Sequence, residues 1–346
     1  MPTTQSGLGI PGFLACVGIA KEATFATATP PTSGSYLPVL DVTGFEGANK
    51  LINAAGIRQS VGNPPPGAGS FDVAPSFSLE VDPDNIGLLL GLSMGKDTVT
   101  GSSAPYSHAF TLNNAMPRLS TATISVDPFF NSGSTPTVYQ AVGCKLSQLD
   151  FTAKQGAYFQ AKAMFSGKDV VPISGTLSSP VYSAARPFEW AHLAGTTQCQ
   201  INGVNANLND FNISLKNTLK PHFGSQGGRK ATSIDETLFL ASGSFSLNLV
   251  DNTIDNILWG GSTPTAGYIP TVALVVTLTH IQIAGGSTPY SISFNMPAIT
   301  LSDAAKTVKR GDVVTLTSKF VASESAAGNH NDISITVVNA AAAAYV

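Results

Sequence analysis

Apolar and polar positions alternate along most of the chain. Phe71, Val73, Phe77, Leu79 and Val81 fall on one side of a two-residue repeat, with Asp72, Ser76, Ser78 and Glu80 between them. Phe245-Leu247-Leu249, Ile292-Phe294, Val314-Leu316-Phe320 and Ile333-Ile335-Val337 repeat the pattern. A period of two puts one face of a strand in a core and the other toward solvent or a partner. Breaks rich in Pro and Gly separate the runs, at 63–69, 101–105, 131–136 and 285–289. Many strands with frequent breaks predict an antiparallel sandwich or barrel. Two short stretches change period. In the first, Asp82 fits an N-cap, Pro83 the first turn, and Ile86, Leu89 and Leu90 an apolar stripe that Gly91 or Gly95 ends. The second runs over 251–259, with Ile254, Ile257 and Leu258 on one side and Gly260-Gly261 as the stop.

These helices occupy matching places in a repeat. Ser76–Val81 precedes the first and Ser244–Leu249 the second, with Ser, Phe, Ser and Leu identical in register. Downstream, Leu146–Gly156 aligns without gaps to Leu301–Gly311, and the next strands keep register, with Phe165 opposite Phe320. Upstream, Val39–Ile57 parallels Leu208–Phe223. Three blocks in one order predict two homologous domains: an N-terminal segment or arm over 1–35, a first domain over 36–170, a linker over 171–199, and a second domain with a C-terminal tail over 200–346. Two like domains in one chain resemble two subunits fused head to tail. Such contacts are heterologous and close into rings or propagate as filaments.

Composition narrows the class. Charged residues make up 11% of the 346 residues, against about 25% in an ordinary soluble protein. A surface so poor in charge is coated in hydroxyls and amides or covered by copies of itself. Apolar content of 43% argues against disorder. The longest apolar runs, near Ile86–Leu92 and Val272–Leu278, fall short of the roughly 18 residues that span a membrane. Residues 1–20 lack a basic n-region and do not read as a secretory signal. A net charge of −3 does not suit a basic nucleic-acid reader. Cys16, Cys144 and Cys199 are few, odd in number and far apart, which argues against a disulfide framework and fits synthesis in a reducing cytoplasm.

Catalytic, cofactor and metal motifs fail on context. Gly91-Leu92-Ser93-Met94-Gly95 spells G-x-S-x-G but closes a helix, whereas a nucleophile elbow follows a strand. Gly7-Leu8-Gly9-Ile10-Pro11-Gly12 spells G-x-G-x-x-G with no strand before it and Pro inside. The loop from Asp82 resembles a calcium loop but has Ile86 at position five and Ser93 at position twelve. Gly91–Lys96 is one residue short of a P-loop. His108, His192, His222, His280 and His330 stand apart in sequence without metal spacing. The sequence therefore predicts no catalytic residue, cofactor or metal.

Several segments resemble the tail tube proteins of long-tailed bacteriophages, in their duplicated form. Gly18-Ile19-Ala20-Lys21-Glu22-Ala23-Thr24-Phe25-Ala26-Thr27 is similar to a G-x-x-K-E-x-T-F-G-T opening, with Ala26 where Gly is usual. His108-Ala109-Phe110-Thr111-Leu112 and Leu119–Ile124 resemble the family's H-x-F and P-S-L-T-I strands. Gly143-Cys144-Lys145-Leu146 and Gly311-Asp312-Val313-Val314 stand where G-x-x-L and G-D-V turns occur. The resemblance implies an all-β fold with short helices: two tandem β-sandwich domains that contribute to an intersubunit β-barrel. It implies a structural virion protein that self-assembles into stacked rings, trimeric and pseudo-hexameric, around a channel for DNA. Its partners would be itself, the tape measure protein and the tail terminator, with DNA only as non-specific cargo and no membrane. The alternatives are another virion β-sandwich, such as a terminator or decoration protein, and a surface adhesin or glycan-binding module. A lumen without net basic charge would avoid the counterion release that makes DNA binding tight.

The longest polar break in each half is a candidate contact between rings or subunits. In the first half it covers 45–69, with Asn49, Lys50, Arg58 and Pro64, Pro65 and Pro66. In the second it covers 216–237, with Lys216, Lys220, Arg229, Lys230, Asp235 and Glu236. Both exceed the roughly 12–15 residues of an ordinary loop.

Overall fold

The computed structural model describes residues 12–32, 35–53, 56, 62, 64–128, 137–175, 177, 180–195, 197–249, 252–263, 270–308, 310–311, 313–324 and 332–346. The first half contains β1 (Cys16–Lys21), β2 (Val39–Thr43), β3 (Ala48–Ile52), β4 (Gly67–Asp72), β5 (Ser76–Glu80), α1 (Ile86–Met94), β6 (Gly95–Thr100), β7 (Tyr106–Leu112), β8 (Ala122–Asp127), β9 (Thr137–Lys154), β10 (Gln160–Ser166) and β11 (Asp169–Ser174). The second contains β12 (Cys199–Ile201), β13 (Val204–Asn205), β14 (Leu208–His222), β15 (Ser233–Asn248), α2 (Thr253–Trp259), β16 (Thr271–Gly285), β17 (Thr288–Thr307), β18 (Thr315–Ala322) and β19 (Ser334–Asn339). The fold is all-β with two short α-helices, as the alternation predicts. No helix among the described residues is long and apolar enough to cross a membrane.

Each half pairs its strands in the same way. β2 pairs with β5, β5 with β10, β10 with the C-terminal part of β9, and the N-terminal part of β9 with β8 and β11. In the second half β14 pairs with β15, β15 with β18, β18 with the C-terminal part of β17, and its N-terminal part with β16 and β19. β1 lies on β8 as β12 lies on β16. Even the irregularities recur. Register shifts fall at Val39/Asp41 and Leu208/Asp210, at Ala122/Ile124 and Val272/Leu274, and at Met164/Phe165 and Leu301/Asp303. A bulge bends a strand and raises its twist. It lets β9 and β17 turn the corner from one layer of the sandwich to the other.

The halves share one core. Phe151 and Phe159 of the first meet Phe294 of the second at ring-centroid distances of 5.3 and 6.0 Å, and Phe294 continues to Phe211 at 6.0 Å. All four rings are fully buried. Each such pair adds roughly 0.5–1.5 kcal/mol beyond the area it buries.

Two local expectations change. Asp82 does accept the backbone N–H groups of Asp84 and Asn85, but these belong to a lead-in turn, and α1 begins at Ile86. Residues 16–21, placed in an N-terminal arm by sequence, form the strand β1, whose Cys16, Val17, Ile19 and Ala20 are buried. Residues 340–346 continue from β19 to α1, where the Tyr345 hydroxyl donates to the Asp84 carbonyl at 3.1 Å. Gly95 and Gly260 end the two helices in the left-handed conformation, at φ 84° and 69°.

Candidate assembly surface

The ladder between the halves is the central feature. β9 and β14 pair from Asp210↔Lys154 to Lys216↔Gln148, so one sheet runs without a break across the chain. Its order is β2-β5-β10-β9-β14-β15-β18-β17. One face is apolar and buried: Phe77, Leu149, Phe151, Ala163, Phe211, Ile213, Phe245 and Phe320. The other face carries Ser76, Ser78, Gln148, Thr152, Asn212, Ser214, Ser242, Ser244 and Thr317, by strict alternation. Charges of both signs share this polar face among its described side chains. Asp41, Glu80, Asp150 and Asp210 are answered by Lys154, Lys162, Lys216 and Lys319. Lys154 stands across from Asp210 and Lys162 across from Asp150.

Both ends of this sheet are open among the described residues. β2 has β5 on one side and no strand on the other. The residues of β17 from 303 to 307 have β18 alone. Leu40 in β2 is 55% exposed, and Val308, just after β17, is 75% exposed. These edges correspond to the strands that meet in the middle. Thr43 pairs with Ser76 as Asn212 pairs with Ser244, so β2 is the counterpart of β14. The gapless match of Leu146–Gly156 to Leu301–Gly311 makes β17 the counterpart of β9.

The candidate loop residues fall into hairpins. The span 216–237 is mostly the end of β14 and the start of β15, with only 223–232 between them. The span 45–69 contains β3 and runs into β4. Period-two alternation is lost in β3, which is exposed on both faces, but persists at the start of β15, where Ile234 and Glu236 are buried. The two hairpins meet. Arg229 donates to the Asn49 side chain and to the Gly69 carbonyl, each at 2.6 Å, and its own carbonyl accepts from Phe71 at 2.8 Å. Lys230 pairs with Asp169 at 2.5 Å, and Lys50 with Asp72. Lys216, Lys220 and Asp235 are exposed on β14 and β15, with Lys220 across from Asp235. Pro64, Pro65 and Pro66 lead into β4, and Arg58 lies outside the described residues.

Glu236 differs from the rest. It is buried, 2.6 Å from Lys145 of β9, and also accepts the N–H of Leu119. It therefore joins the halves of one chain and is not a free docking group. Beside it Arg118 donates to Asn217 at 2.5 Å and lies 5.9 Å over the Phe239 ring. Burial pushes this guanidinium down from its ordinary value, and Glu236 opposes the shift. Asn217 in turn donates to the carbonyls of Ser93 and Leu146. Sequence reading passed over Lys145, Arg118 and Asn217. Only the position of Lys145 in an otherwise apolar stretch of β9 hints at a buried partner.

A sequence model of the family described as Phage tail tube protein matches residues 12–337. No curated protein matches the chain.

Proposed function

The chain belongs to the phage tail tube protein family, a structural component of the virion tail, and on that premise we propose how it closes into a ring. The open β17 end of one chain pairs with the open β2 edge of the next, repeating the β9–β14 ladder. The matched register places Thr307 opposite Thr43 and Val308 opposite Val42. Inside the chain the same places hold Thr152 and Asn212, and Ala153 and Phe211. A heterologous contact of this kind closes a ring, and pairing removes the exposed strand edges. Three chains, each bringing two sandwich domains, give a ring with six-fold pseudo-symmetry.

The polar face of the continuous sheet then lines the channel. Hydroxyls, amides and charge pairs that cancel locally give DNA phosphates no net basic surface to bind. The hairpins of β3–β4 and β14–β15 project from the sandwich and contact the next ring. The tape measure protein and the tail terminator are the other partners, with DNA as cargo.

The observation that carries this reading is the seven-residue ladder inside the chain, from 210–216 to 148–154, whose two counterpart strands each keep one edge open among the described residues. The variant carrying Val42→Cys and Val308→Cys tests it. Oxidation of assembled protein should link chain to chain and end in closed trimers. Links within single chains, or none, contradict the proposed register.

A further inference from the structure

We propose that the ring contains two unlike kinds of seam: three fused ones locked twice over, and three between chains held by a single short ladder. This rests on the ring reading above. The fused seam has a second ladder, in which β7 of the first half covers the outer edge of β19 from Ile335↔Phe110 to Asn339↔Tyr106. It also has a plug. Tyr345 donates its backbone N–H to Asp97 at 3.0 Å, and the Asn339 side chain donates to its hydroxyl at 2.9 Å. One ring nitrogen of His108 lies 3.0 Å from Asp97 and the other 2.9 Å from the Ala341 carbonyl oxygen.

Neither device is available between chains. β6 and β7 occupy the connection from α1 to β8, residues 95–121, whereas residues 260–270 alone connect α2 to β16. That span is too short for an equivalent hairpin. The plug needs Gly87 and Gly91 on α1, where an added Cβ would stand 2.2 Å from Tyr345 and 2.7 Å from Val346. The helix register that aligns Ile86 with Ile254 puts Asp255 and Trp259 at those positions in α2. They are already engaged, with Lys306 2.6 Å from Asp255 and 5.8 Å from the Trp259 ring centre. β11, the counterpart of β19, therefore keeps its outer edge open in the ring. It carries Pro172, which has no N–H to offer, where β19 has Ile335. Proline is a device by which natural sheets keep an edge unpaired.

The chain is thus the rigid unit, and the ring opens or flexes at its chain-to-chain seams. Hydrogen exchange of the full-length protein, in tubes and as single chains, tests this. In tubes, amides of β2 and residues 305–308 should exchange faster than those of β14 and β9, by on the order of tenfold. Tyr345→Ala should speed exchange in β7 and β19 and leave β2 and residues 305–308 unchanged. Equal protection at all seams in assembled rings overturns the inference alone. So does a Tyr345→Ala variant with unaltered β7 and β19. Failure to form rings overturns the ring reading and this inference with it.

Discussion

Glu22 ties together three segments. Its carboxylate accepts from the N–H of Ala26 at 2.9 Å, the Thr123 hydroxyl at 2.8 Å and the N–H of Gly143 at 2.8 Å, all around a buried site. The Lys-Glu-x-Thr-Phe segment is therefore a structural clasp, which its motif-like sequence did not disclose. Ala26, the next residue, has φ 57°, which explains why glycine suits this position. Ala26→Gly relieves roughly 1–2 kcal/mol of left-handed strain, less about 0.4–1 kcal/mol of added unfolded-state freedom. A net gain of about 0.5 kcal/mol should appear in urea melts of the single chain. The Lys145–Glu236 pair predicts the opposite sign. Glu236→Ala strands a buried ammonium and should cost about 3–5 kcal/mol, while a Lys145→Met, Glu236→Leu double variant should recover most of it.

A buried histidine pair makes stability depend on pH. The rings of His192 and His280 lie 4.2 Å apart, and their Nδ1 atoms accept backbone N–H groups from Glu189 and Gln282 at 3.0 and 2.7 Å. Protonating either Nδ1 breaks its bond. Burial lowers both from the ordinary 6.5; His192 further lowers His280, and Arg186 adds to this, while Glu189 opposes the shift. The unfolded chain therefore takes up protons first as pH falls through 6.5. Stability is full above that value and declines below it until the folded-state values are passed. Urea midpoints of the single chain should drop between pH 7 and 5.5, and the drop should shrink in a His280→Gln variant.

At the scale of elements, β-strand alternation carried most of the fold. Phe77, Leu79, Phe245 and Leu247 are buried where period two puts them. The hairpins at β3–β4 and β14–β15 read as loops in sequence because charged residues cluster there, Lys216 and Lys220 in one strand and Asp235 and Glu236 in the other. β1 escaped because the run Cys16–Ala20 is buried continuously rather than alternately. Pairing between distant elements, such as β7 with β19, leaves no local trace. The edge at Val308 gives the element-scale prediction. Val308→Asp should leave the single chain's stability within about 0.5 kcal/mol, since the site is exposed there. It should abolish ring formation, scored by sedimentation, because an unpaired carboxylate would then be buried opposite Val42.

Among the described residues the two halves share one main core, and the sheet that runs across both has two open edges. In the proposed ring that arrangement accounts for a chain with 11% charged residues, since sheet edges a single chain exposes are covered by a neighbour. It also accounts for the recurrence of bulges, which set the same twist in each half so that copies can follow one another around an axis. The most direct measurement of this account is a cryo-EM map of tubes from the full-length protein, refined with three-fold symmetry. It should show β17 of each chain adding to β2 of the next, and Ser76, Thr152, Asn212 and Ser244 facing the channel. A map in which β2 stays unpaired, or in which those residues face the outside, contradicts it.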